Sequence, residues 1–348
     1  MSDPPLAVDS DFYESDSCYG DDWQSTGSET TSISSSIYQG LMENGRRYQT
    51  LRNKEYCIPS DELQFETYEA GHLVCLILDS DTENPLFQSP IGKDGRQDLR
   101  ILDIGTGKGT WPIEVADLLP QSSVIGVDLY PPPVDWTPPN CVIEVDDVLQ
   151  EWLWREPFDL VHMRNMLGSF DEQEWKHEHA AGGWIEQIEV STSVKSDDGT
   201  LPPESALANW GRNITESAIR AGKAADVLPT MASDIEEAGF VDIHEKTYKW
   251  PIGPWPRDKR FKDAGMVNMN HWMTGVEGWC MWLFTKFGSP TPWSKEEVYV
   301  YCAMVRNEIK NPQLHAYHLA RRVWARKPFP GEFSKQPPER VTRSDKAS

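Results

Sequence analysis

The apolar residues between positions 99 and 190 fall into five short runs, separated by spacers that are long enough for a helix. The runs are Leu99–Ile104, Val124–Asp128, Cys141–Val145, Phe158–Met163 and Trp184–Val190. Strand-like runs that alternate with helix-length spacers are typical of a parallel sheet covered by helices. Further along the chain, Val241–Trp250 and Ala316–Ala325 have the same strand-like character. The pattern therefore predicts an α/β fold.

Other segments carry apolar residues at helical spacing. The first predicted helix covers Asp61–Leu78, and Ser60 is placed to cap its N-terminus. Further helices are predicted at Pro112–Leu119, Ala206–Val227 and Pro229–Ala238. The stretch Ser294–Glu297 has the form of a capping box and opens a helix that stops before Pro312.

The chain is predicted to be one domain with a polar segment at each end. Residues 1–36 are rich in Ser, Asp and Glu and residues 331–348 are polar, so both are predicted to be disordered tails. Residues 37–330 form the predicted domain. Within it, residues 251–293 are rich in Trp, Gly and Pro, and we interpret them as a cap or insertion before the last strand.

The charge and the cysteine pattern exclude several classes of site. The formal net charge is −22, from 55 acidic and 33 basic residues, and no basic stripe is visible. We therefore expect no nucleic-acid partner. The six cysteines are scattered without a C-x-x-C pair, and His177 and His179 would point to different sides of a helix. This pattern predicts no metal site and reduced thiols.

The location of the protein is also predicted from what the chain lacks. The longest apolar runs are far short of the ~20 residues that a membrane helix needs. The N-terminus is acidic and has no apolar region of the kind found in signal peptides. We expect a soluble intracellular protein of the cytoplasm or nucleus, without a membrane partner.

The most informative motif is the segment Ile101–Thr110, which follows a predicted strand and precedes a predicted helix. Its glycines, Gly105, Gly107 and Gly109, allow the backbone to turn sharply and to approach a ligand closely. A dinucleotide fingerprint would need a glycine at position 110, and a phosphate loop would need Ser or Thr after Lys108, so both motifs fail. The G-x-G-x-G form after an acidic strand is associated with S-adenosylmethionine.

Acidic residues after the next two strands support a nucleoside ligand. Asp128 lies 21 residues beyond Gly107, at the end of the second strand, where a carboxylate can accept hydrogen bonds from both ribose hydroxyls. Asp147, rather than Asp146, is placed to accept from an adenine amino group, while Val148 packs against the ring. The alternative for these last acids is that they cap a helix.

Longer segments resemble the LaeA-like family of fungal methyltransferases. The resemblance covers about residues 37–329 and is carried by the glycine turn, by Asp128 and by several more particular segments. These segments are Gly45–Tyr48, Pro59–Glu62, Trp136–Asn140, Phe158–Arg164, Gly182–Glu186, Pro251–Pro256 and Arg326–Pro328. The resemblance implies a Rossmann-like class I methyltransferase fold with a seven-stranded, mostly parallel sheet. It also implies S-adenosylmethionine as cofactor and a role in fungal secondary metabolism.

The predicted cofactor contacts come from the ends of four strands. They are Asp103, Gly105, Thr106, Gly107, Asp128, Leu129, Asp147, Val148 and Arg164. His162 is the predicted catalytic residue, with a buried core histidine as its alternative, and His271 is a second candidate base. The late tryptophans are predicted either to line an aromatic acceptor pocket or to form only a core. They are Trp250, Trp255, Trp272, Trp279, Trp282 and Trp293.

The chain departs from the family pattern at two places. Lys108 replaces a small residue within the glycine turn, so it would either pair with the cofactor's carboxylate or point to solvent. The segment Phe170–Ala181 is shorter than in the family, which puts activity in question more than cofactor binding. We therefore carry two hypotheses. The first is a methyltransferase with a small-molecule acceptor, and the second is a regulator that acts through protein partners with weak or no methyl transfer.

Overall fold

The computed structural model describes residue 6, residues 40–51, 55–134, 136–169 and 182–329, and residue 332. The predicted tails lie outside these ranges apart from residues 6 and 332, and residues 170–181, including His177 and His179, lie outside them as well. Among the helices within these ranges, none has both the length and the apolarity that crossing a membrane requires.

A seven-stranded sheet forms the centre of the domain. A small antiparallel hairpin of β1 (Leu41–Glu43) and β2 (Arg46–Tyr48) precedes it. The sheet consists of β3 (Arg100–Ile104), β4 (Ser123–Asp128), β5 (Cys141–Val145), β6 (Phe158–Arg164), β7 (Gly182–Lys195), β8 (Val241–Pro251) and β9 (Tyr317–Arg326). Their spatial order is β5-β4-β3-β6-β7-β9-β8. Strands β3 to β7 are parallel, and β9 pairs antiparallel with β7 and β8. This arrangement confirms the predicted mostly parallel sheet of the class I methyltransferase fold.

Six helices of seven residues or more lie within the described ranges. They are α1 (Glu62–Leu78), α2 (Thr110–Leu118), α3 (Ala206–Arg220), α4 (Met231–Glu237), α5 (Lys259–Phe287) and α6 (Lys295–Ile309). The prediction for α3 was too long, because the helix ends before the left-handed Gly222. The predicted insertion at 251–293 contains a continuous helix of 29 residues, α5, which packs against α1, α3 and α6. The capping box at Ser294 is confirmed.

Alternating side chains of the central strands cover both faces of the sheet. Leu102 and Ile104 of β3 pack with α4 on one face. Ile101 packs with Trp111 of α2 on the other face. Asp103 also lies on this second face, because successive side chains of a strand point to opposite sides. Asp103, near the end of β3, therefore lies on the face of the sheet that α2 covers.

Helix α1 is fixed at its N-terminus by an ion pair with the hairpin. Asp61 caps the helix by accepting from the Gln64 backbone N–H, so the prediction that Ser60 is the cap was wrong. The Asp61 carboxylate also accepts two hydrogen bonds from the Arg46 guanidinium, each 2.7 Å long. Burial alone would raise the pKa of Asp61, but Arg46 lowers it below its ordinary value. One carboxylate thus joins the hairpin to α1.

The C-terminus of α1 is held by a buried ionic cluster around Arg322 of β9. The guanidinium of Arg322 donates to Asp79, the C-cap of α1, at 2.8 Å, and also to Glu186 of β7. Asp79 accepts further from Lys246 and from the hydroxyl of Tyr248. All three central groups of the cluster are at most 2% exposed. Since each charge is paired, the cluster fixes α1 on the sheet without an uncompensated buried ion.

Replacing Arg322 by Met should lower the free energy of unfolding by about 3–5 kcal/mol, because Asp79 and Glu186 would lose their shared counter-ion inside the protein. The measurement is urea unfolding followed by circular dichroism. Arg96→Met is the control, because the Arg96–Asp159 pair is partly exposed and its loss should change the stability little. Equal losses in both variants would contradict the importance of the cluster.

Candidate functional site

A cavity lies at the carboxyl ends of β3, β4, β5 and β6, below α1. It spans about 1130 Å³ including its open mouth. All nine predicted cofactor residues and His162 line this cavity, so the structure brings the whole predicted set together. The described ranges contain no group of three or more His, Cys, Asp or Glu side chains that could hold a metal ion.

The glycine turn forms the floor of the cavity at the end of β3. Gly105 and Thr106 both donate backbone hydrogen bonds to the Val127 carbonyl. Gly105 has φ +69° and Gly107 has φ +58°, which is a left-handed conformation that favours glycine. A Cβ atom at Gly105 would collide with the sulfur of Met166, and one at Gly107 would lie 3.0 Å from the Tyr68 ring. The turn therefore needs glycine both for its shape and for its space.

Asp128 ends β4 beside this turn. Its carboxylate accepts a 2.7 Å hydrogen bond from the Gly107 backbone N–H and a longer one, 3.3 Å, from that of Tyr130. Burial raises the pKa of Asp128 to about 6, although these backbone donors oppose the shift. The carboxylate is thus available at neutral pH as an acceptor that faces the cavity.

The acids that follow β5 lie in the cavity wall and in the turn after the strand. Asp146 and Asp147 line the cavity together with Val148. Asp147, which is only 6% exposed, also accepts from the backbone N–H of Leu149 and so closes the turn after the strand. Residues 146–157 contain no helix, so the alternative that these acids cap a helix was wrong, and their contact with an adenine ring stays a prediction.

His162 of β6 is a buried histidine with a defined setting. Its Nδ1 lies 2.7 Å from Asp103, and its ring stacks on Trp111 at a centroid distance of 3.8 Å. Burial lowers the pKa of His162, although Asp103 opposes the shift, and its Nε2 has no hydrogen-bond partner among the described residues. Arg164 ends the same strand and lines the cavity.

Lys108 takes neither of its two predicted positions. Its ammonium group forms a 2.8 Å ion pair with Glu69 of α1. The pair is half-exposed and links the glycine turn to the helix above it. The expectation that Lys108 faces either the cofactor or free solvent was wrong, because a carboxylate of α1 lies within reach of its long side chain.

The roof of the cavity was missed by sequence reasoning. Tyr56, Phe65 and Tyr68 come from α1 and the segment before it and line the cavity from above. The hydroxyl groups of Tyr56 and Ser169 are hydrogen-bonded at 2.9 Å, which closes one side of the cavity. Phe65 and Tyr68 are three residues apart on α1, so their spacing is a signal that could have placed them on one helix face.

A second, mainly apolar cavity adjoins the first. Tyr68 and Asn165 line both cavities. Trp210, Trp272 and Trp279 form its aromatic wall, with ring centroids 5.3–6.3 Å apart in edge-to-face arrangements. Of the six late tryptophans, Trp272 and Trp279 line this pocket, and the other four do not. Trp210 was not singled out from the sequence. The late tryptophans are therefore divided between the wall of this pocket and the core, and binding of an acceptor there stays a prediction.

Comparison with known proteins identifies relatives over most of the chain. A family model described as a methyltransferase domain matches residues 81–244. Methyltransferase pytC of Aspergillus terreus is 34% identical over 87% of this chain and 93% of its own length. The secondary metabolism regulator LAE1 of Cochliobolus heterostrophus is 31% identical over 82% of this chain and 94% of its own. The secondary metabolism regulator laeA of Monascus pilosus is 30% identical over 84% of this chain and 79% of its own length.

Replacing Gly105 by Ala should strain the turn by about 1–3 kcal/mol and displace Met166. We expect a lower free energy of unfolding in urea and at least a tenfold weaker affinity for S-adenosylhomocysteine by calorimetry. Gly95→Ala is the matched control, because Gly95 also has a positive φ but has open space around it, away from the cavity. If both variants bind equally well, the turn does not shape the ligand site.

Proposed function

The chain belongs to the LaeA-like family of fungal methyltransferases, and we propose that it methylates a small, mainly apolar acceptor in secondary metabolism. The proposal depends above all on the contact between two cavities of different chemistry. One has a polar floor of strand ends, and the other has a wall of tryptophans. They meet at Tyr68 and Asn165, so a donor in one can face an acceptor in the other.

The first cavity fits S-adenosylmethionine, the cofactor of class I methyltransferases, in three respects. At Gly105 and Gly107 the turn brings backbone without side chains to the cavity. The buried hydroxyl of Thr106 has no partner among the described residues, so a ligand can satisfy it. Asp128 presents a carboxylate to the cavity. We propose that Asp128 holds the ribose hydroxyls, and that Asp147 and Val148 hold the adenine ring.

The remaining predicted residues have supporting roles in this proposal. When bound, S-adenosylmethionine supplies a methyl group on a positively charged sulfur. Asp103 and Arg164 bring opposite charges to the cavity, which suits the amino and carboxylate groups of the ligand's amino-acid end. His162 donates to Asp103 and stacks on Trp111, so we assign it to positioning Asp103 rather than to proton transfer.

The second cavity indicates the class of acceptor. Its described lining is largely apolar and aromatic, and it contains no carboxylate. Lys223 and two histidines are its ionisable bases. A cationic acceptor would lose its hydration there without gaining a counter-ion, which is unfavourable. We therefore propose a neutral or anionic acceptor with a ring system that packs against the tryptophans.

A regulatory role is the second candidate, because relatives at 30–31% identity are named secondary metabolism regulators. In that case the fold would act through protein partners, with weak or no methyl transfer. The aromatic cavity favours the enzyme, because a protein that acts only through its surface does not need an acceptor pocket of this kind next to the cofactor cavity.

The two functions differ in what is lost when the gene is deleted. S-adenosylhomocysteine binding is first measured by calorimetry on the purified protein. Extracts of the deletion strain and of its parent are then compared by mass spectrometry. Loss of one methylated compound, with accumulation of the same compound lacking the methyl group, supports the enzyme. A broad fall of many metabolites supports the regulator.

Affinity for S-adenosylhomocysteine should fall about tenfold as the pH is lowered from 7 to 5. The cause is protonation of Asp128, whose pKa is raised to about 6 by burial, because a protonated carboxyl accepts ribose hydroxyl hydrogen bonds less well. Asp128→Asn should weaken binding at pH 7 by about 1–3 kcal/mol and remove most of the pH dependence. Calorimetry at both pH values checks this. An unchanged pH profile in the variant would rule out Asp128 as the titrating group.

A further inference from the structure

His271 of α5 has one nitrogen committed and one available. Its Nδ1 lies 2.8 Å from the backbone carbonyl of Thr67 on α1. Since a carbonyl only accepts, Nδ1 carries the hydrogen and donates it, and Nε2 is then the unprotonated acceptor of the neutral ring. Burial lowers the pKa of His271 to about 4, so the ring is neutral at physiological pH. No described residue is hydrogen-bonded to Nε2.

The packing of α1 against α5 holds this imidazole in place. A Cβ atom at Gly71 would lie 3.0 Å from Cε1 of His271, so the glycine provides the space for the ring. The Trp279 ring lies on another side at a centroid distance of 4.8 Å. Together with the hydrogen bond to Thr67, these contacts fix both the orientation and the tautomer of His271.

The other histidine of the pocket has no such free nitrogen. His318 Nε2 lies 3.2 Å from the side-chain amide of Asn268, and its Nδ1 faces the Ser191 carbonyl at 3.4 Å. The amide NH₂ group donates to Nε2, and the carbonyl accepts from Nδ1. The two histidines line the same cavity, but only His271 can accept a hydrogen bond from a bound molecule.

His271 also lies near the boundary between the two cavities. A Cβ atom added at Gly71 would lie 3.0 Å from Cε1 of His271 and 3.7 Å from Nδ2 of Asn165. His271 and Asn165 therefore lie close to each other. Asn165 lines both cavities and has φ +56°, a conformation uncommon outside glycine. Its Oδ1 has no hydrogen-bond partner among the described residues. An acceptor in the aromatic pocket can therefore contact His271 with the group that faces the cofactor cavity.

We propose that His271 is the catalytic base and that the acceptor is an apolar ring compound bearing a hydroxyl group. This inference rests on the proposed function. In the reaction, the acceptor oxygen forms a bond to the methyl carbon while the carbon–sulfur bond breaks and its electron pair stays on sulfur. The hydroxyl proton moves to Nε2 of His271 and later leaves to solvent. The products are a methyl ether and S-adenosylhomocysteine.

The number of charges does not change in this step. The sulfur loses its positive charge as the imidazole gains one, so the step moves a charge and does not create one. Other acceptors would use the lining differently. A carboxylate needs no base and would pair with Lys223, which has no ion-pair partner in the described part of the chain. A neutral amine would need a base only after transfer.

Two naphthalene compounds test whether the full-length protein methylates a hydroxyl or a carboxylate. With S-adenosylmethionine present, 2-naphthol and 2-naphthoic acid are incubated separately, and methylated product is measured by mass spectrometry. We expect methylation of 2-naphthol. In His271→Asn, whose amide can still donate to Thr67, product formation should fall at least a hundredfold. His271→Gln is a second variant in case the first does not fold.

The matched control is His244→Asn, because His244 of β8 is half-exposed and lines neither cavity. It should keep its rate within threefold, and all variants should bind S-adenosylhomocysteine within twofold of the unaltered protein. Calorimetry measures acceptor binding separately from methyl transfer. The unaltered protein should bind 2-naphthol several-fold more tightly than 2-methoxynaphthalene, which has no hydroxyl to donate, and His271→Asn should lose this preference.

Each contrary result identifies what fails. If product formation in His271→Asn falls by less than tenfold, His271 is not the catalytic base. The same holds if this variant still binds 2-naphthol more tightly than 2-methoxynaphthalene. Methylation of 2-naphthoic acid alone overturns the hydroxyl class in favour of a carboxylate held by Lys223. Methylation of neither probe, with S-adenosylhomocysteine bound, also overturns this inference but leaves the cofactor site in place. Failure to bind S-adenosylhomocysteine overturns the proposed function itself.

Discussion

The buried guanidinium of Arg322 joins three parts of the chain that are distant in sequence. It holds Asp79 at the end of α1 and Glu186 in the middle of β7, while it belongs to β9 itself. Glu186 in turn accepts from the backbone of Gln88 and Ser89, which fixes the segment between α1 and β3. A buried charge is tolerated only when its partners are in place, so this cluster allows little freedom in where α1 lies on the sheet.

The position of α1 decides the geometry of both cavities. Tyr68 forms the roof above the glycine turn and also borders the aromatic pocket, while the Thr67 carbonyl sets the tautomer of His271. The close approach of α5 is possible because a Cβ at Gly275 would lie 2.6 Å from the Thr67 side chain. The structural ion cluster and the functional groups are thus connected through one helix.

Local patterns were sufficient to predict the seven strands of the main sheet and the residues that form the floor of the first cavity. The glycine turn, Asp128 and Asp147 each follow directly after an apolar run, and parallel strands bring their carboxyl ends to one edge. Local patterns did not predict the helix α5. Its glycines and tryptophans lower helix propensity, so the sequence indicated an insertion, whereas contacts with α1 and α6 stabilise a 29-residue helix.

The aromatic pocket was predicted only in part, because its residues come from separate elements. Trp210 lies on α3 and packs against Trp272 and Trp279 of α5, and no motif links these positions. His162 was the more prominent histidine in the sequence because it lies near the end of a predicted strand. Its partner Asp103 and its stacking on Trp111 are features that only the tertiary structure reveals.

The electrostatic contrast between the two cavities bears directly on methyl transfer. Asp103, Asp128, Asp146 and Asp147 line the first, where negative charge favours a sulfonium cation. The aromatic pocket has no carboxylate among its described lining residues, so it offers no counter-ion to a cationic acceptor. A neutral hydroxyl can enter such a pocket without a large desolvation cost. It becomes acidic only as its oxygen bonds to the methyl group, and at that moment a fixed, neutral imidazole is the acceptor that the proton needs.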